Sequence, residues 1–539
     1  MKSECLPFSQ IPHTTRIFSD FLSDHSKVHQ FYPRSAYFDQ WFKEEVSNLH
    51  YDSERRQRVS AVLERQNRSW RASERTVGNI ARLRAGASAV VTGQQVGLFG
   101  GPLFSIFKAL TAVKLADHAT RSGIDCVPVF WLATEDHDLD EVNQVAIPGP
   151  DGSLQKLTAA VVGLQDAPVG TLRLDAGIQA IVEVASGLLG PSEISDFLRE
   201  AYRPDETLGS SFARLFARLF ADWGVILLDA ADPELHSIAE PMYRAAIERA
   251  AELDEALLAR GAALEAAGYH QQVKVTPSST LLFTLRNGAR VPLHRRVNEN
   301  GSSDFVIDEE RVSQTELLSR IASSPQNFSG NALLRPVIQD YLLPTLTYTG
   351  GSAEIAYFAQ VAVVYEALLG RVTPIVPRFS ATVVEAKPKA FMERYGLRLP
   401  DLFSGPDALR ELIASRTLPK ELQLAFDQAE SSLEKSLAAI REGLAKLDST
   451  LIDSAANAES KMQYQISQLR SKAARAELRQ TEVLTRKADL LSNFLYPNKA
   501  LQEREIAAVY FLARHGTEFL RDVYETIRPD CLDHQIITL

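Results

Sequence analysis

Val90-Val91-Thr92-Gly93-Gln94-Gln95-Val96-Gly97-Leu98-Phe99-Gly100-Gly101-Pro102 is the stretch on which the fold turns. An apolar run from Ala87 to Val91 enters a glycine-rich loop. Pro102 then stands where a first helical residue belongs, and Leu103, Phe104, Ile106, Phe107, Leu110 and Val113 come after it at helical spacing. A strand that feeds a glycine-rich turn and opens a helix aims amide groups and the positive helix end at one point, where phosphate or carboxylate binds. A plain tight connection reads the same way, so both readings stay open. Lys108, further into the helix, adds a fixed positive charge to the first reading. The spacing matches neither G-x-G-x-x-G nor G-x-x-x-x-G-K-[ST].

Working outward, the helix expected from Pro102 to about Thr120 leads into a second apolar strand, Cys126 to Leu132, a βαβ unit that suits a parallel sheet. That strand runs into Thr134-Glu135-Asp136-His137-Asp138. In open α/β sheets ligands gather at the carboxyl ends of strands, near the switch point of strand order. Burying Glu135, Asp136 and Asp138 together is costly unless a cation, a metal or a protonated partner sits among them. His137 suits a base, a ligand or an orienting donor. The competing reading is a solvated acidic loop that caps a helix.

The rest of the chain supplies the frame. Residues 14–85 read as helical, with aromatic residues Phe38, Trp41 and Phe42 among those expected to pack on the βαβ unit. Residues 142–175 read as an insertion of short strands, 177–222 as helices, Trp223 to Ala230 as a buried strand, and 236–267 as a helix pair. Gln271 to Arg296 reads as a hairpin turning at Asn287-Gly288, with His294, Arg295 and Arg296 as a weak surface cluster. Leu334 to Ile338 and Pro374 to Pro377 read as strands, and Arg378 and Ser380 after the second could meet phosphates. Thr349 to Glu354 opens a helix with capping chemistry. Tyr348, Glu354, Tyr357 and Gln360 suit recognition of a polar small molecule, or a capped core helix.

From Lys420 to Tyr496 there is no proline, and Leu433, Leu437, Ile440, Leu444, Leu447 and Leu451 recur at spacings of four and three, resumed by Met462, Ile466, Leu469 and Ala473. That is a coiled-coil seam. Asp448-Ser449-Thr450 could turn it into an antiparallel hairpin, although one long helix is also open. The seam needs a partner within the chain or in a second subunit, and a homodimer is the expectation. The domains expected are 1–86 (helical), 87–141 (first βαβ), 142–222 (inserted connecting segment), 223–400 (remainder of the core with a hairpin), 401–496 (coiled coil) and 497–539 (return to the core).

Composition narrows the classes. A chain of 539 residues with 45% hydrophobic and 23% charged residues is globular and multidomain. Its net charge of -10, without a basic block, argues against nucleic acid. No apolar run is long enough to imply a membrane span. Three cysteines, Cys5, Cys126 and Cys531, stand far apart. They suggest a reducing cytoplasm, no disulfide framework and no thiolate zinc site.

The segments TGQQVGLFGGPLFSIFKA (92–109), VFWLATEDHDLDEVN (129–143), TYTGGSAEIAYFAQ (347–360), PRFSATVVE (377–385) and LQERE (501–505) resemble the BshC family. Its members are cysteine ligases that add cysteine to glucosaminyl malate in the last step of bacillithiol synthesis. The resemblance implies an α/β fold, a Rossmann-like nucleotidyltransferase-type core with inserted connecting segments and a coiled coil that dimerises. It implies ATP, with Mg²⁺ accompanying it, activating the carboxylate of cysteine as an acyl-adenylate for attack by the sugar amine. On this sequence it places Thr92, Gly93, Gly97, Gly100, Gly101 and Lys108 at phosphates, with Arg378 and Ser380 steadying the leaving group. Gln94 and Gln95 stand where related ligases keep a His-x-Gly-His signature. Glu135, Asp136, His137 and Asp138 would hold the cysteine ammonium or accept the proton of the attacking amine. Tyr348, Gly350, Gly351, Glu354 and Tyr357 would contact sugar or malate. No zinc is expected, because Cys126 is the only central cysteine. A metal-dependent hydrolase built on the Glu135–Asp138 cluster and a non-catalytic coiled-coil scaffold remain as other classes.

Overall fold

The computed structural model describes residues 2–298, 303–417, 420–448, 450–478 and 482–539. They form two compact units. The first comprises Met1–Pro150, Leu154–Thr382 and Glu503–Ile537, and the second Asp151–Ser153, Val383–Gln502 and Thr538–Leu539.

At the centre of the first unit are β1 (Ser88–Gln94), β2 (Cys126–Leu132), β3 (Ile226–Asp229), β4 (Thr345–Gly350) and β5 (Ile375–Pro377), in the order β5–β4–β1–β2–β3. Every pairing is parallel. The strands are apolar on both faces because helices cover both; Val90, Val91, Val127, Val129 and Phe130 are wholly buried. Strand order runs β1–β2–β3 to one side and β4–β5 to the other, so it reverses between β1 and β4. The two helices that come after those strands are α1 (Phe104–Arg121) and α2 (Ser352–Leu369). Among the described residues α2 is the one helix long and apolar enough to cross a membrane, and it is a core helix with Ile355, Phe358, Val361 and Val364 buried. As expected, Phe38, Trp41 and Phe42 join Val90, Ala112 and Ala116 in one apolar cluster.

The insertion after β2 holds short antiparallel pairs, Gln144–Pro148 with Leu154–Thr158 and Val161–Val162 with Arg173–Leu174, then helices Ile178–Leu189, Glu193–Ala201 and Leu208–Leu219. A second sheet between β3 and β4 is antiparallel. Its hairpin, Ser279–Arg286 and Ala289–Val297, turns at Asn287 and Gly288, whose φ values of 52° and 85° are those a tight hairpin turn needs. Phe328–Gly330 pairs with the first of these strands.

Four expectations need correction. Pro102 does not begin α1: a 3-10 turn over Leu98–Gly100, with positive φ at Phe99, Gly100 and Gly101, delays the helix to Phe104. Leu334 to Ile338 is not a strand. Arg335–Leu342 is a helix with Pro336 in its first turn, because a short apolar run carries no period that separates strand from buried helix. Cys5 and Cys531, at opposite ends of the sequence, form a disulfide, since distance along the chain says nothing of distance in the fold. Arg295 is no surface residue: it forms an ion pair at 2.7 Å with buried Asp254.

In the second unit α3 (Lys420–Leu447) and α4 (Leu451–Leu478) form an antiparallel pair. Arg441 meets Glu459 at 3.4 Å and Arg470 meets Asp427 at 2.6 Å, which fixes the opposed directions. At the turn the Asp448 carboxylate accepts from the Thr450 amide at 2.9 Å; Ser449, expected in the same turn, lies outside the described residues. The seam therefore has a partner within the chain. Leu437 is buried, whereas Ile440, Leu447, Met462 and Leu469 stay exposed.

Candidate site at the strand-order reversal

The carboxyl ends of β1 and β4 meet where strand order reverses, the place at which open α/β sheets bind ligands. Gly93 lies so close to β2 that a Cβ there would stand 2.9 Å from the Trp131 carbonyl oxygen; at Gly350 one would stand 2.9 Å from the Glu354 Cβ. These glycines bring side chains together across the reversal. Lys108, projecting from α1, is buried and places Nζ 2.6 Å from Glu354 Oε2, 2.7 Å from the Gly93 carbonyl and 3.0 Å from Gln94 Oε1. Burial pushes the Lys108 amine down to about 8, although the Glu354 charge opposes it. Burial pushes Glu354 upward, yet Lys108, the Tyr348 hydroxyl at 2.6 Å and the Gly351 amide at 2.8 Å together hold it below the usual carboxylate range. Tyr357 accepts a hydrogen bond from Arg335 at 2.6 Å. Thr92 ties β1 to β4 by donating to the Thr349 carbonyl at 2.9 Å.

The glycine loop is closed on itself. The Gly97 amide donates to the Gln95 carbonyl, Gly100 to the Gly97 carbonyl and the Tyr202 hydroxyl, Gly101 to the Leu98 carbonyl, and Leu103 to the Ile506 carbonyl. A Cβ at Gly97 would stand 3.0 Å from the Gly101 Cα. The glycine signal is therefore explained by chain packing. The amides that an anion would use already donate within the protein.

Free cationic capacity lies beside that loop. The Arg378 guanidinium is buried, donates to Glu503 at 2.6 Å and to the Phe379 carbonyl at 2.7 Å, and leaves Nε with no partner. It stands 5.2 Å from the Phe104 ring centre, and exposed Arg504 stands 5.9 Å from the same ring. A Cβ on Gly351 would come 3.5 Å from Arg378 Nε and 3.7 Å from Glu354 Oε2, so this glycine keeps the space between them clear. Ser380 faces inward: its hydroxyl donates to Glu503 at 2.9 Å and contacts His534 Nδ1 at 2.7 Å. Burial lowers His534 to about 4, so the ring is neutral.

The acidic cluster sits at the end of β2. Gln95 donates to Asp136 at 2.8 Å and to Glu141 at 2.6 Å, tying the glycine loop to this cluster. Arg290, from the inserted hairpin, donates to His137 Nδ1 at 3.2 Å, to Ser329 Oγ at 3.0 Å and to the Gly330 carbonyl at 2.9 Å. A guanidinium can only donate, so neutral His137 carries its hydrogen on Nε2. Asp138 is exposed. Glu135 is the unusual member: its Oε1 is buried without a hydrogen-bond partner, and burial pushes the carboxyl up to about 8, with Arg290 opposing. Arg335 faces both Glu135 and Lys108, so the two halves share one electrostatic environment.

Thus Gly93, Gln94, Lys108, Tyr348, Gly350, Gly351, Glu354 and Arg378 converge, and Gln95, Glu135, Asp136 and His137 form the adjoining half. Gln360 does not join them; it holds both backbone groups of Val273 at 2.8–2.9 Å. Arg290, Arg335, Glu503 and Arg504 were not singled out from sequence. Glu503 and Arg504 lie inside the LQERE motif, which was the available signal. Arg290 and Arg335 carried none.

A parallel sheet of order 3-2-1-4-5, with charged side chains gathered at its reversal and a helical hairpin unit beyond it in the chain, defines a Rossmann-like α/β protein with a coiled-coil unit. Residues 1–379 match the family described as "Bacillithiol biosynthesis BshC, N-terminal Rossmann-like domain", and residues 381–539 match "Bacillithiol biosynthesis BshC, C-terminal coiled-coil domain". A protein of Koribacter versatilis (strain Ellin345) named "Putative cysteine ligase BshC" is 48% identical over 537 residues, covering 100% of both chains. Proteins of the same name from Solibacter usitatus (strain Ellin6076) and Salinibacter ruber (strain DSM 13855 / M31) are 37% identical over 540 residues and 32% over 534. They cover 100% of both chains in the first case, and 97% of this chain and 96% of the relative in the second. The chain belongs to the BshC family, a family of ligases.

Proposed function

We propose that this protein joins the carboxyl group of L-cysteine to the amine of glucosaminyl malate at the expense of ATP, forming the amide of bacillithiol. The observation that supports it most is the pairing in one site of two buried, unpartnered groups of opposite character, Arg378 Nε and Glu135 Oε1. An orphaned guanidinium N–H beside an exposed arginine fits the phosphates of a nucleotide; Arg378 and Arg504 would hold them. ATP, when bound, supplies a good leaving group on the cysteine carboxylate. Among the described residues no three His, Cys, Asp or Glu side chains come together to hold a metal, so no step is assigned to a protein-held Mg²⁺.

Lys108 and Glu354 act as a fixed strut that keeps the ends of β1, β4 and α1 in register. Asp136, oriented by Gln95 and Arg290, faces the ammonium of cysteine. Glu135 takes the proton that the attacking nitrogen must lose, and a carboxyl raised toward neutrality is matched to that transfer. The exposed seam residues Ile440, Leu447 and Leu469 support a homodimer through the coiled-coil unit. Incubating the purified protein with ATP, cysteine and glucosaminyl malate, with mass spectrometry for bacillithiol and for AMP or ADP, tests the reading. A folded protein that forms no product under these conditions refutes it.

A further inference from the structure

Behind Glu135 lies a second layer of buried polar groups that the reaction as described leaves idle. His236, on the helix Pro233–Glu248, is buried and directs Nε2 to 3.4 Å from Glu135 Oε1. Its other nitrogen, Nδ1, is 3.0 Å from the Tyr243 hydroxyl one helical repeat further on. Burial holds the Tyr243 phenol far above its ordinary range, so it keeps its hydrogen. That hydroxyl has Nδ1 as its partner and donates to it. With Nδ1 accepting, the ring hydrogen of neutral His236 stands on Nε2, on the side of Glu135. Burial also lowers His236, which keeps the ring neutral.

The geometry points to His236, fixed by Tyr243, as a positioning residue that holds Glu135 in its proton-accepting orientation through an Nε2–H···Oε1 contact. This rests on the role given to Glu135 above. The step it serves is balanced: one proton passes from the substrate nitrogen to the Glu135 carboxylate. The nitrogen electron pair forms the bond to the cysteinyl carbonyl carbon, and the bond to the activating oxygen breaks with its pair leaving on that oxygen. A donor at Nε2 favours the ionised carboxylate, which is the form able to accept. The charged groups facing Glu135 are Arg290, Arg335, Asp136 and Asp229; those facing His236 are Asp229 and Asp232, with the Phe328 carbonyl beside the ring. The two arginines pull Glu135 down, Asp136 and Asp229 push it up, and none of them contributes a hydrogen bond to Oε1. His236 is the group placed to supply one.

The test compares wild type, His236→Leu, His236→Gln and Tyr243→Phe in two readouts. The first is the pH dependence of kcat/KM for bacillithiol formation. The second is an infrared titration of the Glu135 carboxyl in ligand-free protein, with Glu135→Gln as the blank. Loss of the donor in His236→Leu should move the acid limb and the infrared midpoint upward together by about one pH unit. His236→Gln, which keeps an N–H donor, should restore most of the shift, and Tyr243→Phe should move both by a smaller amount. Unmoved midpoints in His236→Leu overturn the proposal, as does a rate lowered equally at all pH values with the midpoint unchanged. A wild-type protein that makes no bacillithiol refutes the assigned reaction instead, and the infrared titration still decides whether His236 governs Glu135.

Discussion

Replacing Lys108 by methionine removes the cation at the strand-order reversal and keeps most of the side-chain volume. The Lys108 side chain is 4% exposed and that of Glu354 15%, so both charges are largely out of water. All three ammonium hydrogens are used, on Glu354, Gly93 and Gln94. Lys108→Met therefore leaves a buried carboxylate without its counter-ion and two carbonyl oxygens without a donor, a loss of about 3–5 kcal/mol. Glu354→Gln costs less, because the amine, already lowered to about 8 by burial, can shed its proton. The double variant removes both charges and should fall within about 1–2 kcal/mol of wild type. Urea denaturation at pH 7, monitored by circular dichroism, measures the cycle. Additive single costs, or a Lys108→Met cost below about 1 kcal/mol, would refute the strut. The pH dependence has a definite sign. Folded Lys108 loses its proton near 8 and the unfolded chain near 10.5. Between these values the unfolded state binds more protons, so wild-type stability rises with pH relative to Lys108→Met, by at most about 3 kcal/mol.

Glu135 predicts the opposite slope. Burial raises it from 4.5 to about 8, so the unfolded chain ionises first and wild-type stability falls between those values. Glu135→Gln should therefore be about 2 kcal/mol or more stabler than wild type at pH 8.5 and equal to it at pH 4, by urea midpoint, while product formation falls at least about 100-fold. Arg504→Met should raise the KM for ATP about tenfold and leave the KM for cysteine and the melting temperature unchanged, since loss of one exposed cationic contact is worth about 1.4 kcal/mol; an unchanged nucleotide KM removes Arg504 from the site. Gly93→Ala places a Cβ 2.9 Å from the Trp131 carbonyl oxygen and should cost about 1–3 kcal/mol in thermal unfolding, whatever the nucleotide concentration.

Periodicity carried much of the architecture. The apolar runs of β1, β2 and β3, the turn at Asn287-Gly288 and the heptad seam all stand where local pattern places them, because burial on both faces, a tight turn and a helix pair each impose their own residue spacing. Short elements were less legible. Arg335–Leu342 is too brief and too apolar to show a period, and Arg335, which faces both halves of the site, was hidden with it. The motifs at 92–109, 129–143 and 347–360 marked the right place in the sheet, since the carboxyl ends of parallel strands are where polar residues interrupt apolar runs.

The sequence by itself determined a parallel α/β core, a helical hairpin unit and the neighbourhood of the site. Only the tertiary structure decided what the site residues do. It assigned the loop glycines to packing and Lys108 to Glu354. It also brought Arg290 and His236 from distant segments to the acidic cluster, and joined Cys5 to Cys531. Those outcomes depend on burial and on pairings between residues far apart in the chain, and local spacing records neither.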